Sequence, residues 1–201
     1  MPSRKLPAVV AALTLSACAH APSAPRTAQE TPAMTQDAAA PSSFSPRLDA
    51  GQALSRLLAL IRGSRTVQDI TPARLQETFG VPFGEQGGRL AYAEQLTPEW
   101  WASYEWDPAR AQGAQFEFAF RPGNPEADPD YTGICTMDYD AFAAELKAQG
   151  FGHQAYRGEH GRAIEERFER AGMRVAVQTR GEAGTTPESI KHACVQMVHV
   201  R

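Results

Sequence analysis

The sequence predicts an α+β domain in which a mainly antiparallel sheet carries two or three helices on one face. Apolar residues recur at helical spacing in short segments that begin with a capping residue. Other segments of strand length alternate between apolar and polar residues. Short turns join most of these strands, and this favours pairing between strands that are neighbours in the chain.

Two helices are expected at the start of the domain. Apolar side chains in residues 49–61 fall on one face, with Asp49 placed to cap the helix and Gly63 to end it. A shorter helix is expected to follow Thr71 as its N-cap and to end at Gly80.

Alternating aromatic residues indicate the next strands. The alternating positions are Leu90, Tyr92 and Glu94, then Trp100, Ala102, Tyr104 and Trp106, then Phe116, Phe118 and Phe120. We expect this pattern to form the core face of the sheet; a carbohydrate or peptide platform is the alternative. Trp101 lies on the opposite face from Trp100, so it is expected to be exposed and is a candidate partner contact.

The second half is expected to contain a helix followed by strands, which leaves open a loose helix-plus-meander duplication that turns near Tyr139. The predicted elements are a short strand at 133–137, a helix at 138–149 capped by Asp138, and strands at 151–157, 162–170 and 190–200, with one more through Val175, Val177 and Thr179. Residues 162–170 also fit a helix, but a strand lets Ala171 and Gly172 form a hairpin turn. The last strand is expected to place Cys194, Gln196, Val198 and Val200 on one side.

Residues 122–131 form an acidic loop that includes Asp128 and Asp130. Alternating acidic oxygens favour calcium, but the loop lacks the central glycine and final glutamate of an EF-hand. We therefore expect a solvated loop with no metal. Asp128 and Asp130 are candidate contacts for a basic partner.

Motifs for catalysis are missing from the sequence. It contains no G-x-S-x-G, no H-E-x-x-H and no phosphate-binding loop. His153 and His160 flank one turn, with Glu159 beside the second histidine. We expect surface histidines, assign no catalytic residue and no cofactor, and regard Glu159 and His160 as candidate partner contacts; a hydrolase site is the alternative.

The N-terminus has the parts of a secretion signal. Arg4 and Lys5 precede an apolar run at residues 6–15, and Leu15-Ser16-Ala17-Cys18 follows. The apolar run is much shorter than the roughly 20 residues that a membrane-spanning helix needs.

This stretch resembles a bacterial lipoprotein signal, in which the cysteine after a Leu-small-small triplet becomes the lipidated first residue. The resemblance implies a signal peptide at 1–17. It also implies that Cys18 carries a diacylglycerol on its sulfur and an acyl group such as palmitate on its amino group. An ordinary signal peptide with an incidental cysteine is the alternative. Ala19 replaces the aspartate that signals inner-membrane retention, so the resemblance implies delivery to the outer membrane of a Gram-negative host.

Residues 18–46 are expected to be a disordered linker between the lipid and a single globular domain at 47–201. The linker is rich in alanine, proline, serine and threonine, and it cannot bury enough apolar surface to fold. A flexible chain of this length reaches on the order of 30 Å.

Charge and cysteine content limit the partners and the compartment. The formal net charge of −3 argues against nucleic acid, which requires clustered cations. With Cys18 lipidated, Cys135 and Cys194 remain as an even pair, and an oxidising compartment favours a disulfide between them. Two buried free thiols are the alternative.

These features favour a membrane-anchored periplasmic lipoprotein that binds an envelope protein without catalysing a reaction. An immunity or inhibitor protein and an envelope-assembly accessory both fit this layout. An envelope hydrolase and a lipoprotein that binds a small ligand or glycan are the alternatives. The expected location is the outer membrane, with the domain facing the periplasm; the inner membrane and the cell surface are the alternatives.

Overall fold

The computed structural model describes residues 44–158, 163–181 and 192–201. The helices are α1 (Ala50–Gly63), α2 (Pro72–Phe79) and α3 (Tyr139–Ala148), and a 3₁₀ turn at Val67–Asp69 joins the first two. The strands are β1 (Gly84–Gln86), β2 (Arg89–Gln95), β3 (Trp100–Asp107), β4 (Gln115–Pro122), β5 (Gly152–Arg157), β6 (Ala163–Arg170), β7 (Met173–Arg180) and β8 (Cys194–Val200).

The eight strands form one antiparallel sheet in the order β1-β2-β3-β4-β8-β7-β6-β5. Each half of the chain contributes a meander of four strands, and the two meanders meet where β4 pairs with β8. The order of helix followed by meander therefore occurs twice, with α3 beginning the second pass at Tyr139. The predicted α+β class is confirmed.

The helices begin at the residues that the sequence indicates. The Asp49 carboxylate accepts a hydrogen bond from the Gln52 N–H at 2.7 Å, and the Gln52 side chain accepts one from the Asp49 N–H at 3.0 Å. Thr71 and Asp138 cap α2 and α3 in the same manner, each through its side-chain oxygen. Gly80 ends α2 with a φ of 65°, a conformation that glycine adopts without strain.

The alternating aromatic residues form the core face of the sheet, as predicted. The alternating residues of β3 and β4 are buried: Trp100, Ala102, Tyr104, Trp106, Phe116, Phe118 and Phe120. Phe79 of α2 packs against Tyr104 and Phe116, with ring centroids 5.0 and 5.7 Å away. Tyr139 of α3 packs near Phe168 of β6, with ring centroids 6.5 Å apart. The helices therefore pack on this face.

Residues 163–170 form strand β6, so the strand predicted for this segment is confirmed and the alternative helix is not. Ala171 and Gly172 form the turn that leads to β7. Gly172 has a φ of 79°, and a Cβ at this position would lie 2.8 Å from the Thr66 Cγ2. Glycine is therefore required at this turn both for its backbone conformation and for the space it leaves.

The strand predicted at 133–137 is wrong, because this segment is a turn. The N–H groups of Ile134 and Cys135 both donate to the carbonyl of Tyr131, at 3.0 and 2.9 Å. These local bonds use the donors that a strand would offer to a neighbour. The one remnant of pairing is an isolated bridge between Asp138 and Cys194.

The alternation predicted for the last strand is also wrong at its beginning. Gln178 of β7 pairs with Met197 of β8, whereas the next residue, Thr179, pairs with Val195. Gln196 is therefore the extra residue of a β-bulge. The bulge changes the side to which the start of β8 points, so that Val195 is buried as fully as Val198.

Within the described residues, no helix is both long enough and apolar enough to cross a bilayer.

Candidate functional site

One face of the sheet is left uncovered by the three helices. On β3 this face carries the residues that alternate with the core positions, among them Trp101, Ser103 and Glu105. Trp101 is 38% exposed, and in the described part of the chain only Tyr156 and Ile164 are large apolar side chains with similar exposure. The predicted exposure of Trp101 is confirmed.

Trp101 lies where the acidic loop at 122–131 leaves the sheet. It pairs with Arg121 across β3 and β4. A Cβ on Gly123 would lie 3.5 Å from the Trp101 Nε1, and the Gly123 N–H donates to the Glu99 carbonyl at 2.8 Å. The indole N–H of Trp101 makes no hydrogen bond with any described residue, unlike that of Trp100.

The acidic loop is held against the end of the sheet. The Trp100 Nε1 donates to the Asp130 carbonyl at 2.9 Å, and the Trp100 and Tyr131 ring centroids are 4.7 Å apart. The Arg180 guanidinium lies 4.9 Å from the centre of the Tyr131 ring. The loop is therefore a fixed part of this end of the domain.

The two acidic residues singled out from the sequence have different local roles. Asp128 forms an ion pair with Arg180 of β7. The Asp130 carboxylate accepts a hydrogen bond from the Thr132 N–H at 2.6 Å. Hydrogen bonds from the Thr132 side chain and N–H hold the pKa of Asp130 below its ordinary value. Asp130 therefore stays ionised at neutral pH.

Carboxylates are concentrated at this end of the sheet, and we name five of them the acidic rim. The acidic rim comprises Glu99, Glu126, Asp128, Asp130 and Asp138. Asp130 and Asp138 line a common cavity of about 370 Å³. Among the described residues, only Asp128 of this set has an ion-pair partner. The acidic rim therefore contains four carboxylates that no described cation pairs with.

The predicted disulfide lies beside the same cavity and is confirmed. Cys135 and Cys194 are joined across 59 residues, with their Cα atoms 5.3 Å apart. Cys194 is buried, whereas Cys135 is half-buried at the end of the acidic loop. The bond ties the turn after this loop to the start of β8.

A depression of about 250 Å³ lies on the uncovered face, and its lining includes neighbours of Trp101 but not Trp101 itself. Its floor includes the small side chains of Ala91, Ala93 and Ser103. Ser103 is two residues from Trp101 on the same face, and Arg121 lines the depression directly across from the indole. A partner that contacts Trp101 can therefore place a side chain in this space.

Glu117 and His199 form a hydrogen-bonded pair on the uncovered face that the sequence did not indicate. The His199 Nε2 lies 3.0 Å from one Glu117 oxygen, and the Arg121 Nη2 lies 2.6 Å from the other. The hydrogen bond to His199 lowers the pKa of Glu117, with help from the positive charges of Arg121 and Arg110 and against the effect of partial burial. The alternation of β4 places Glu117 on this face, but only the β4–β8 register reveals His199.

Replacing Glu117 by Gln is expected to lower the free energy of unfolding by about 1–2 kcal/mol at neutral pH, because the hydrogen bonds to the carboxylate become weaker. The folded-state pKa is depressed, so the stabilising effect exists above the unfolded-state pKa and is lost as the pH falls through the folded-state value. The difference between variant and wild type should therefore shrink in acid. Urea denaturation across this pH range measures it, with Glu77→Gln as the control, because Glu77 is exposed on α2 and has no ion-pair partner among the described residues.

The other predicted contact residues give no site in the described part of the chain. Glu159 and His160 lie outside the described residues.

The His153 Nε2 is 2.7 Å from the Glu166 Oε2 and 3.2 Å from the Tyr139 hydroxyl, and its ring stacks on Phe168. Burial raises the pKa of Tyr139, so its hydroxyl keeps its proton at neutral pH. This arrangement was missed because its members come from three separate elements.

Metal-binding geometry is also missing from the described residues, which contain no group of three or more His, Cys, Asp or Glu side chains able to hold an ion.

Comparison of the chain with models of known protein families, with curated proteins and with solved structures gave no match.

Proposed function

We propose that this protein is a membrane-anchored periplasmic lipoprotein whose domain binds a basic envelope protein through Trp101 and the acidic rim. The observation that carries the proposal is the 38% exposure of Trp101 on the sheet face that the helices leave uncovered. Tryptophan is among the side chains most often responsible for binding energy at protein interfaces.

The charge at this end of the sheet supports a basic partner. Four of the five acidic-rim carboxylates, namely Glu99, Glu126, Asp130 and Asp138, have no ion-pair partner among the described residues. Unneutralised charge of one sign attracts a partner of opposite sign and accelerates association. An acidic or neutral partner would gain no such attraction.

The geometry around Trp101 supports a protein surface as the ligand. The depression on this face has a volume of about 250 Å³ and is lined by Ala91, Ala93 and two tyrosines together with charged side chains. Small-molecule sites are usually larger, at about 300–1,000 Å³. A projecting side chain of a protein partner fits this depression better than a buried ligand does.

The N-terminal sequence supports the membrane anchor. Leu15-Ser16-Ala17-Cys18 follows a basic start and an apolar run, as in bacterial lipoprotein signals. Several acyl chains on Cys18 would hold the protein far more firmly than the single chain that gives only marginal binding. The linker at 18–46 would let the domain search for its partner within about 30 Å of the membrane.

Replacing Trp101 by Ala is expected to weaken binding to the partner about 30-fold, which corresponds to the roughly 2 kcal/mol of a hot-spot residue. Calorimetric titration of the purified chain with the isolated envelope partner measures the affinity. Ile164→Ala is the matched control, because Ile164 is 43% exposed but lies on β6, away from Trp101. An equal loss in both variants, or no loss in Trp101→Ala, would refute the role of Trp101.

A further inference from the structure

Strand β5 is the longer of the two edges of the sheet. The other edge, β1, has three residues, whereas β5 has six. An edge strand presents unpaired backbone N–H and C=O groups, which proteins usually protect with lysine, proline, a bulge or a very short strand. The edge strand β5 contains no lysine and no proline, its one irregularity lies at its end between Tyr156 and Arg157, and no described strand pairs with its outer side.

Gln154 is the central residue of the regularly paired part of β5. The register between β5 and β6 shifts between Tyr156 and Arg157, so regular pairing covers residues 152–156. If two copies of β5 pair antiparallel around a twofold axis at Gln154, this residue lies opposite itself. Gly152 then lies opposite Tyr156 of the second copy. The pairing would end at the irregularity on both sides.

The side chains suit this register. Tyr156 is 45% exposed, and the absence of a side chain on Gly152 leaves room for its ring. The Arg167 guanidinium of β6 lies 4.0 Å from the centre of the Tyr156 ring and holds it at the edge. His153 lies opposite the small Ala155 in this pairing. No like charges lie directly opposite each other in this register, so the pairing avoids the repulsion that destabilises such pairs.

The neighbouring register suits β5 less well. A twofold axis at Ala155 would place His153 opposite Arg157 of the second copy. It would also require the irregular position between Tyr156 and Arg157 to lie inside the new ladder. The register centred on Gln154 avoids both problems.

We propose that two copies of this chain associate by antiparallel pairing of their β5 strands around Gln154, which joins their sheets edge to edge. In the sheet order, β5 is separated from β3 by β4, β8, β7 and β6. The association therefore leaves Trp101 free, and it does not depend on the proposed partner.

Cysteine cross-linking tests the register. The full chain carrying Cys18→Ser retains only the disulfide-bonded cysteines, so an added cysteine is the only free thiol. Gln154→Cys should form a covalent dimer under mild oxidation, because residues opposite each other in antiparallel strands have Cα atoms at disulfide distance. Gln86→Cys on the β1 edge is the matched control and should remain monomeric.

A mixed pair gives the second arm of the test. Chains with Gly152→Cys and chains with Tyr156→Cys should cross-link to each other and not to themselves. Cross-linking of Gln154→Cys no stronger than that of Gln86→Cys, or self-linking of Gly152→Cys, would overturn the proposal. Near-ultraviolet circular dichroism checks that each variant is folded.

Sedimentation equilibrium tests the association without cross-links. Gln154→Lys places two positive charges opposite each other and should weaken dimerisation about fivefold or more. Gln86→Lys should leave the dimerisation constant unchanged. A monomeric wild-type chain at all concentrations, or equal effects of both lysines, would contradict the proposal.

Discussion

Replacing Cys18 by Ser is expected to move the protein from the membrane fraction to the soluble fraction of fractionated cells. The proposed anchor is the acyl chains on the Cys18 sulfur and amino group, and serine cannot form the thioether. Each buried methylene contributes about 0.8 kcal/mol to membrane binding, so several chains make release negligible and their loss makes release nearly complete. This is the largest effect that we expect from a single substitution.

The control for Cys18→Ser is Ala19→Ser, which changes the adjacent residue and leaves the cysteine. This variant should remain with the membrane. Mass spectrometry of the N-terminal peptide should find the wild-type chain beginning at Cys18 with its acyl groups. An unmodified N-terminal peptide, or a Cys18→Ser protein that stays in the membrane fraction, would contradict the anchor.

Removing the disulfide is expected to lower the free energy of unfolding by about 4 kcal/mol. The bond links residues 59 apart, and the chain-entropy model gives this value for a closed loop of about that length. Cys135→Ser with Cys194→Ala is the suitable double variant, because Cys194 is buried and a hydroxyl there would add a separate penalty. Urea denaturation followed by tryptophan fluorescence measures the change.

The matched control for the disulfide is Cys18→Ser, which removes a cysteine that lies outside the described residues and takes no part in this bond. This change should leave the urea midpoint unaltered. A loss of less than about 1 kcal/mol in the double variant would show that the disulfide does not constrain the unfolded chain as the entropy model assumes.

Local sequence signals predicted most of the helices and strands. Asp49, Thr71 and Asp138 cap the three helices because their side-chain oxygens satisfy N–H groups that a helix leaves free. The alternation in β3 placed Trp100 in the core and Trp101 on the opposite face. These signals are short-range, so they can be read without knowing the rest of the fold.

Long-range pairing could not be predicted from the sequence. The contact between β4 and β8 joins Phe116 to Val200, which are far apart in the chain and carry no pairing signal. The bulge at Gln196 depends on the register with β7, and no local pattern indicates it. The turn at 133–137 resembles a short strand in the sequence, but the N–H groups of Ile134 and Cys135 bond to Tyr131 instead.

The candidate site could be predicted only in part, because some of its contacts also depend on long-range pairing. The exposure of Trp101 follows from the period of a strand, and the acidic loop is evident in composition. The ion pair between Asp128 and Arg180 joins two residues 52 apart in the chain, so it required the structure. The pairing of Glu117 with His199 likewise required the sheet register.

Cross-linking in living cells tests the proposed function most directly. A photoreactive amino acid at position 101 should capture one discrete basic envelope protein, because Trp101 lies at the proposed interface. The same group at position 164, on a side chain of similar exposure, should not capture that protein. No protein captured at position 101, or the same protein captured equally at both positions, would contradict the proposal that Trp101 and the acidic rim bind a partner.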